Sequence, residues 1–288
     1  MAFRKRREAL RSILSGSACI RPGSVYDATS IRIACDLGFE LGMFGGSVAS
    51  LAVLGDPDIA LITLTELAEQ MRRMSRAAEL PVLVDADHGY GNALNVRRTI
   101  EELEAAGAAG LTIEDTLLPQ AFGQSGSQLI PLQEGVGKMK AALDARRDVS
   151  LVVIGRTGAV SITALDDAIA RAKAYEATGV DALFFTGIKT RTELETIAAA
   201  TTLPIVLGGA PEDMADPIYL ASQRVRIALQ GHAPFAAATQ AVYETLKALR
   251  EGLPPKALKG LASSELTGRV TREAEVRARS GEFLGLRK

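Results

Sequence analysis

Acidic side chains follow two apolar segments of the chain, at the points where buried strands are expected to end. Asp85 and Asp87 close one segment, and Glu114 and Asp115 close the next. Buried carboxylates repel one another unless a cation lies among them. Oxygen ligands without a cysteine or histidine cluster favour a hard ion, most simply Mg²⁺ held partly through water, with Mn²⁺ as the alternative. These residue types therefore predict a divalent metal among the acids.

Groups that could bind an anion follow other apolar segments that are expected to be buried strands. Arg156 ends a further apolar run, and its planar guanidinium can bind one carboxylate of an anionic substrate through two parallel hydrogen bonds. Ser47 follows two glycines in a turn, where backbone N–H groups and the hydroxyl can also bind an anion. Tyr26 and His232 follow the first and the last predicted strands. Together with the acids, these groups predict a metal-assisted reaction of a small anionic substrate.

The elements that must position these groups are short apolar runs alternating with amphipathic segments. Most runs are continuous rather than alternating, as in parallel strands covered on both faces. Strict alternation through eight units predicts a (β/α)8 TIM barrel in one domain, with the active site at the carboxyl ends of the strands. The absence of a GxGxxG motif disfavours a doubly wound open sheet. The predicted strands are Cys19–Val25, Leu41–Gly45, Pro81–Asp85, Gly110–Glu114, Leu151–Gly155, Ala182–Thr186, Pro204–Leu207 and Val225–Leu229.

Local signals place the helices and two further segments. Thr63 with Glu66, and Thr190 with Glu193, have the spacing of capping boxes that open helices. Residues 117–131 form a long stretch rich in Gly, Ser and Gln after the fourth strand, and we predict an active-site lid there rather than a disordered loop. Residues 1–252 are expected to form the barrel with an N-terminal helix. Residues 253–288 are expected to form a helical extension that packs on their own barrel or on a neighbouring subunit.

Composition and charge narrow the class of protein. The chain has 288 residues, with 33 Lys and Arg against 34 Asp and Glu, so nothing indicates binding to nucleic acid or to an anionic membrane. The basic run at 3–7 is expected to be the solvated face of an N-terminal helix. Only Cys19 and Cys35 occur, and no apolar stretch approaches the ~20 residues needed to span a bilayer. We therefore expect a cytoplasmic protein.

Several segments together resemble the phosphoenolpyruvate mutase/isocitrate lyase superfamily over nearly the whole chain. The resemblance implies a (β/α)8 barrel whose eighth helix is swapped between subunits, usually in a homotetramer built as a dimer of swapped dimers. It also implies Mg²⁺ and an α-keto acid substrate. The segments are PGSVYDATSIRIACDLGFE at 22–40, FGGSVAS at 44–50, VDADHGYGN at 84–92, GLTIEDTLLP at 110–119 and GRTGA at 155–159.

The superfamily's site residues carry over onto groups already singled out. The resemblance makes Asp85 the carboxylate closest to the metal, with Asp87 and Glu114 binding it directly or through water. It also pairs Arg156 with the substrate carboxylate, which Ser47 and the neighbouring backbone bind as well. The residues expected to bind substrate are Tyr26, Gly46, Ser47, Arg156 and His232, and those expected to be catalytic are Arg156 and His232.

Departures from the superfamily pattern select among its reactions. The segment at 122–128 lacks the cysteine that serves the lyases as acid and base, and a glutamate usual at the end of strand six is Thr186. His232 resembles the histidine of the branch that decarboxylates oxaloacetate. We therefore expect Mg²⁺-dependent decarboxylation of oxaloacetate, a β-keto dicarboxylate, to pyruvate and CO2 through a metal-stabilised enolate. Arg156 and Ser47 would hold the chelating end of the substrate, and His232 would orient the C4 carboxylate.

Two alternatives stay open at this point. The chain could be a C–C bond lyase of the 2-methylisocitrate type that uses an unusual acid. It could also be a non-catalytic barrel that only binds a dicarboxylate. The retained acid cluster disfavours the second alternative, because unused buried carboxylates cost stability.

Overall fold

The computed structural model describes residues 3–285, in which eight parallel strands follow one another in chain order around one sheet. Just before the first strand, Ile20 forms a parallel bridge with Ile227 of the last strand. This bridge joins the two edges, so the sheet is the (β/α)8 barrel that the alternating pattern predicts. The strands are β1 (Gly23–Ser24), β2 (Gly42–Phe44), β3 (Val82–Asp85), β4 (Gly110–Glu114), β5 (Val152–Thr157), β6 (Ala182–Phe185), β7 (Ile205–Leu207) and β8 (Val225–Ala228).

Helices fill the connections between the strands. Both predicted capping boxes are present, at Thr63 with Glu66 and at Thr190 with Glu193. Within residues 3–285, every helix is too short or too polar to cross a membrane. The helices are α1 (Arg4–Ser15), α2 (Ala28–Asp36), α3 (Gly46–Val53), α4 (Leu64–Ala77), α5 (Ala93–Ala106), α6 (Leu132–Ala145), α7 (Ala159–Ile162), α8 (Leu165–Glu176), α9 (Arg191–Ala200), α10 (Pro217–Ser222), α11 (Ala233–Arg250), α12 (Ser264–Val270) and α13 (Glu273–Leu284).

The described chain divides into two compact units, one ending at His232 and the other beginning at Ala233. In the first unit, apolar side chains from the strands fill the barrel, and Leu10 and Leu14 of α1 join this core. The second unit contains α11, α12 and α13, and no residue of α11 is buried. Residues 1–2 and 286–288 lie outside the described chain, and the predicted boundary at 252 stays a prediction.

The prediction that the basic run at 3–7 is solvated is confirmed for Arg4 and Lys5, which are exposed, and is wrong for the next two residues. Arg6 and Arg7 are buried. Arg6 Nη1 donates to the backbone oxygen of Ser75 at 2.9 Å, and Arg7 Nη1 donates to Asp148 Oδ2 at 2.7 Å. The reason is that carbonyl groups near helix ends lack intrahelical donors, and a guanidinium with five donors satisfies several at once.

The first strand is shorter than predicted. Pairing with β2 is limited to Gly23 and Ser24, whereas the apolar pattern predicts a strand over 19–25. Pro22 has no backbone N–H to donate to a neighbouring strand, so the regular ladder begins only after it.

Candidate active site

Strand register brings Asp85, Glu114 and Arg156 onto one inner face of the barrel. Asp115, also predicted to belong to this cluster, lies outside it and is bonded to Arg171 and Tyr175 of α8. Asp85 is level with Thr112 of β4, and Glu114, two residues further along β4, is level with Arg156 of β5. Residues two apart on a strand point to the same face, and residues level on neighbouring parallel strands share it. The strands are apolar along most of their length, and their polar side chains come together where the strands end.

Asp85 is the most heavily bonded acid in this cluster. Thr112 Oγ1 donates to Asp85 Oδ1 at 2.9 Å, and the backbone N–H of Asp87 donates to the same oxygen at 3.3 Å. Arg156 Nη1 donates to the other carboxylate oxygen. Asp85 is therefore held as an acceptor, with one oxygen oriented by Thr112 and the other by Arg156.

Arg156 lies between two acids and over an aromatic ring. Its Nε lies 3.1 Å from Glu114 Oε2, and its Cζ lies 5.1 Å from the centroid of the Phe184 ring. Burial lowers the pKa of Arg156, but Asp85 and Glu114 outweigh that effect and raise the pKa above its ordinary value. The arginine predicted to bind substrate thus also neutralises the acid cluster, a task that sequence alone does not indicate.

Asp87 is the acid that the protein leaves least satisfied. It is 6% exposed, and among the described residues its Oδ2 has no hydrogen-bond partner. A Cβ at Gly46 would lie 2.4 Å from Asp87 Oδ1, so the absence of a side chain there makes room for the carboxylate. Burial, followed by the charges of Asp85 and Glu114, raises the pKa of Asp87 well above its ordinary value. A cation beside Asp87 would stabilise its ionised form and so lower this pKa.

The donor set fits a hard divalent cation. Its atoms are carboxylate oxygens, and a buried oxygen of Asp87 has no partner among the described residues. Burial also raises the pKa of Glu114, although Arg156 opposes the shift. Across residues 3–285, no three Asp, Glu, His or Cys side chains converge closely enough to hold an ion by themselves. The arrangement suits Mg²⁺, which is commonly held by one or two carboxylates and completed by water and substrate oxygens.

His232 reaches the same mouth of the barrel from the end of β8. Its Nδ1 lies 2.7 Å from Ser24 Oγ, and a Cβ at Gly45 would lie 2.7 Å from its Cε1 and Nε2. Burial lowers the pKa of His232, although Asp85 and Asp58 oppose the shift. Because Gly45 and Gly46 are adjacent, the imidazole and the carboxylate of Asp87 lie against consecutive residues of one turn.

The residues predicted to bind an anion lie at the start of α3 and after β1. Gly46 and Ser47 are the first two residues of α3, so their backbone N–H groups have no intrahelical acceptor and can bind an anion. Tyr26 follows β1, where its backbone oxygen accepts a hydrogen bond from Gln70 Nε2 at 2.6 Å. The part that Ser47 and Tyr26 play in binding stays a prediction.

Two residues near the cluster are missed by sequence reasoning. Asp58, in the loop after α3, is exposed, yet desolvation by the surrounding protein raises its pKa, and the charge of Asp85 adds to the shift. Arg156 and His232 oppose it. The hydroxyl of Tyr90 is buried without a partner among the described residues, and burial and Asp87 raise its pKa. The only local signals are GDPD at 55–58 and the tyrosine of HGYG at 88–91, and neither motif by itself shows that its loop turns towards the acids.

The segment predicted as a lid forms a hairpin-like loop after β4. The N–H of Leu117 donates to the backbone oxygen of Gln128 at 2.8 Å, and the N–H of Ile130 donates to that of Asp115 at 2.9 Å. Phe122, near the tip, is fully exposed. The base of the loop is thus tied to the residue after Glu114, whereas closure over the site stays a prediction.

Known proteins are similar to this chain over its whole length. It is 79% identical to the oxaloacetate decarboxylase of Bradyrhizobium diazoefficiens over 288 residues, all of both chains. A structure of oxaloacetate acetylhydrolase with the inhibitor 3,3-difluorooxalacetate is 25% identical, with a TM-score of 0.86 over 97% of each chain. A structure of phosphonopyruvate hydrolase with oxalate and Mg²⁺ is 27% identical, with a TM-score of 0.83 over 97% of this chain and 99% of the other.

The resemblance inferred from the motifs is confirmed by the family profile. The profile described as phosphoenolpyruvate phosphomutase matches residues 10–250, which include every strand and all the site residues described above. The chain therefore belongs to the phosphoenolpyruvate phosphomutase family.

Proposed function

We propose that this chain is a Mg²⁺-dependent enzyme that decarboxylates oxaloacetate to pyruvate and CO2. The observation that carries the proposal is its 79% identity, over the full length of both chains, to a protein named oxaloacetate decarboxylase. The geometry supports it, because a buried acid cluster, an arginine and the histidine after β8 meet at one mouth of the barrel.

The reaction breaks one C–C bond and forms one C–H bond. The bond between C3 and C4 of oxaloacetate breaks, CO2 leaves, and the electron pair moves towards the C2 keto group, giving the enolate of pyruvate. A proton then adds to C3. Mg²⁺ held by Asp85, Asp87 and Glu114, directly or through water, would supply a Lewis acid at the keto oxygen, as would Mn²⁺.

The residues around the cluster hold the chelating end of the substrate. A guanidinium has five N–H donors, so Arg156 can bind the C1 carboxylate while it remains paired with the acids. The backbone N–H groups of Gly46 and Ser47 add donors from the start of α3. Tyr26 binds the same end of the substrate. Together they orient the C3–C4 bond so that its electrons can enter the keto group.

His232 acts at the other end of the substrate. A neutral imidazole can donate one hydrogen bond to the C4 carboxylate without pairing with its charge. That contact orients the leaving group and still lets it depart as neutral CO2. The catalytic residues of the proposal are therefore His232 and Arg156.

The test is an oxaloacetate assay with the purified protein. Loss of oxaloacetate is followed with Mg²⁺, with EDTA, and with oxalate as a mimic of the enolate. The proposal predicts a rate above that of Mg²⁺ alone, abolished by EDTA and inhibited by oxalate. If oxaloacetate with Mg²⁺ reacts no faster with the protein than without it, the proposal fails.

Two further measurements separate the alternatives. Cleavage of 2-methylisocitrate to pyruvate and succinate would establish a C–C lyase instead. Binding of a dicarboxylate in a calorimeter, without turnover of either substrate, would establish a non-catalytic barrel. A His232→Ala variant that keeps full turnover would overturn only the role given to that histidine.

The proposal also includes a homotetrameric assembly and a cytoplasmic location. The exposed α11 would exchange between subunits in a dimer, and two such dimers would form a tetramer, with residues 253–288 as the extension that accompanies this helix. Two unpaired cysteines, Cys19 and Cys35, suit a reducing cytoplasm.

A further inference from the structure

We propose that Ser24 is a positioning residue that sets which nitrogen of His232 faces the substrate. Ser24 is the last residue of β1, and its Oγ lies 2.7 Å from His232 Nδ1. The inference rests on the proposed function, because the C4 carboxylate that His232 would bind selects the tautomer, but the tautomer itself can be measured without turnover.

Ser24 is a polar residue at an interior position. It is level with Met43 of β2, whose side chain belongs to the apolar core of the barrel. A serine at such a position needs a partner for its hydroxyl, and the imidazole supplies it. A small cavity of about 70 Å³ adjoins the pair, lined among others by Ser24, Met43 and His232.

The Cε1–Nε2 edge of the ring faces the turn that follows β2. A Cβ built on Gly45 would lie 2.7 Å from both Cε1 and Nε2, so this edge rests on the turn after β2. The next residue of that turn, Gly46, lies against the carboxylate of Asp87. Ser24 therefore holds Nδ1, while Nε2 lies against Gly45, one residue before the glycine that contacts Asp87.

The direction of the hydrogen bond between Ser24 and Nδ1 is linked to the protonation of Nε2. A neutral imidazole has one donor and one acceptor nitrogen. When the Ser24 hydroxyl donates to Nδ1, the ring proton must lie on Nε2, which can then donate to a substrate carboxylate. In the other tautomer Nε2 would present a lone pair to an anion and repel it. We therefore assign the Nε2–H tautomer, with Ser24 as the donor.

The first measurement is ¹⁵N-histidine NMR at neutral pH. The chain has only two histidines, so a His88→Gln background leaves the signals of His232 alone. The expected spectrum has a protonated Nε2 and an unprotonated, hydrogen-bonded Nδ1. Ser24→Ala should change this to a mixture of tautomers, and Ser24→Thr should restore it, because its hydroxyl is retained and its extra methyl fits the adjoining cavity.

The second measurement is steady-state kinetics with oxaloacetate and Mg²⁺. Ser24→Ala is expected to lower kcat/KM about three- to tenfold, mainly through kcat, the usual size of one lost neutral hydrogen bond. Ser24→Thr should recover most of it. Ser150→Ala, which removes a buried hydroxyl bonded to Asp148 Oδ1 at 2.6 Å, is the control and should change neither the His232 signals nor kcat/KM.

The two measurements separate this inference from the proposed function. A protein inactive on oxaloacetate would overturn the proposed function, and its spectrum would still decide the tautomer. A proton on Nδ1 in the native protein, or a Ser24→Ala variant with unchanged spectrum and kinetics, would overturn the role of Ser24. If Ser24→Ala does not fold, the native spectrum and the Ser24→Thr variant decide the question.

Discussion

At the scale of single residues, Asp87 gives the clearest indication that the site binds a ligand. Its backbone φ is +46°, a left-handed conformation that aspartate tolerates better than most residues, and its buried Oδ2 has no partner among the described residues. A protein selected for stability alone would have little reason to keep a carboxylate there. The cost is consistent with a bound cation that removes it.

Asp87→Asn should make the metal-free protein more stable while removing its response to Mg²⁺. Because the pKa of Asp87 is raised in the folded state, its ionisation at neutral pH opposes folding, and the amide removes a cost of about 1–3 kcal/mol. We expect Mg²⁺ to raise the Tm of the native chain by binding only the folded state, and this rise should be absent in the variant. Thermal unfolding with and without Mg²⁺ measures both effects.

Asp115→Asn is the matched control for this substitution. Asp115 is fully buried, and its Oδ2 accepts hydrogen bonds from Arg171 Nη1 at 3.0 Å and from Tyr175 Oη at 2.7 Å, whereas its Oδ1 has no partner among the described residues. The asparagine would leave the buried charge of Arg171 without this carboxylate. The same chemical change should therefore destabilise the protein by about 3 kcal/mol. A loss of stability in Asp87→Asn, with the response to Mg²⁺ intact, would contradict a metal role for Asp87.

His88 should make stability depend on pH. Burial, followed by the charge of Lys138, lowers its pKa from 6.5 to about 4. Below pH 6.5 the unfolded chain takes up a proton that the folded chain does not accept until about pH 4, so stability falls as the pH falls through that window. Between pH 6.5 and 5 the loss is about 2 kcal/mol, at ~1.4 kcal/mol for each pH unit. Urea unfolding should show a smaller loss in His88→Gln, and an equal loss in both proteins would refute the assignment.

At the scale of elements, the junction of β2 and α3 holds the two halves of the site together. Gly45 lies against the imidazole of His232, and Gly46 lies against the carboxylate of Asp87. The same junction starts a helix whose first N–H groups can bind an anion. One short turn thus brings together groups from β3 and β8.

Gly46→Ala should abolish most activity while the fold is retained. The added methyl would lie 2.4 Å from Asp87 Oδ1 and must displace it, and a shift of about 1 Å in a catalytic group can cost about 100-fold in kcat/KM. The control is Gly137→Ala in α6, where a Cβ meets no heavy atom within 4 Å. That variant should gain up to about 1 kcal/mol of stability with unchanged kinetics. Near-normal activity of Gly46→Ala would show that the position of Asp87 does not matter.

At the scale of the whole molecule, α11 should be an interface between subunits. None of its residues is buried, although Val242, Leu246 and Leu249 recur at a spacing that forms one apolar stripe. An apolar stripe left in water is unusual for a stable chain and marks a surface that another element covers.

Val242→Glu with Leu246→Glu should reduce the mass of the assembly in light scattering. The control is Gln240→Glu with Lys247→Gln, which changes the net charge by the same amount on the opposite side of α11. The control should keep the mass of the native protein. A native chain that is monomeric, or a double glutamate variant with unchanged mass, would exclude the proposed exchange of this helix.

Much of the fold and part of the site follow from local sequence. Continuous apolar runs locate all eight strands, because a parallel strand covered on both faces needs apolar side chains at nearly every position. Capping boxes locate the starts of α4 and α9. The run at 3–7 misleads, because a pattern of arginines does not reveal which carbonyl groups will lie opposite them.

The sequence by itself determined the barrel, the acids at the ends of β3 and β4, and the histidine after β8. Only the tertiary structure decided the partners: Arg156 between Asp85 and Glu114, and Ser24 behind His232. The physical reason is that strand register and closure of the barrel set which side chains meet. Ser24 and His232 are 208 residues apart, and no local pattern indicates that the first and last strands will bring a hydroxyl to an imidazole nitrogen.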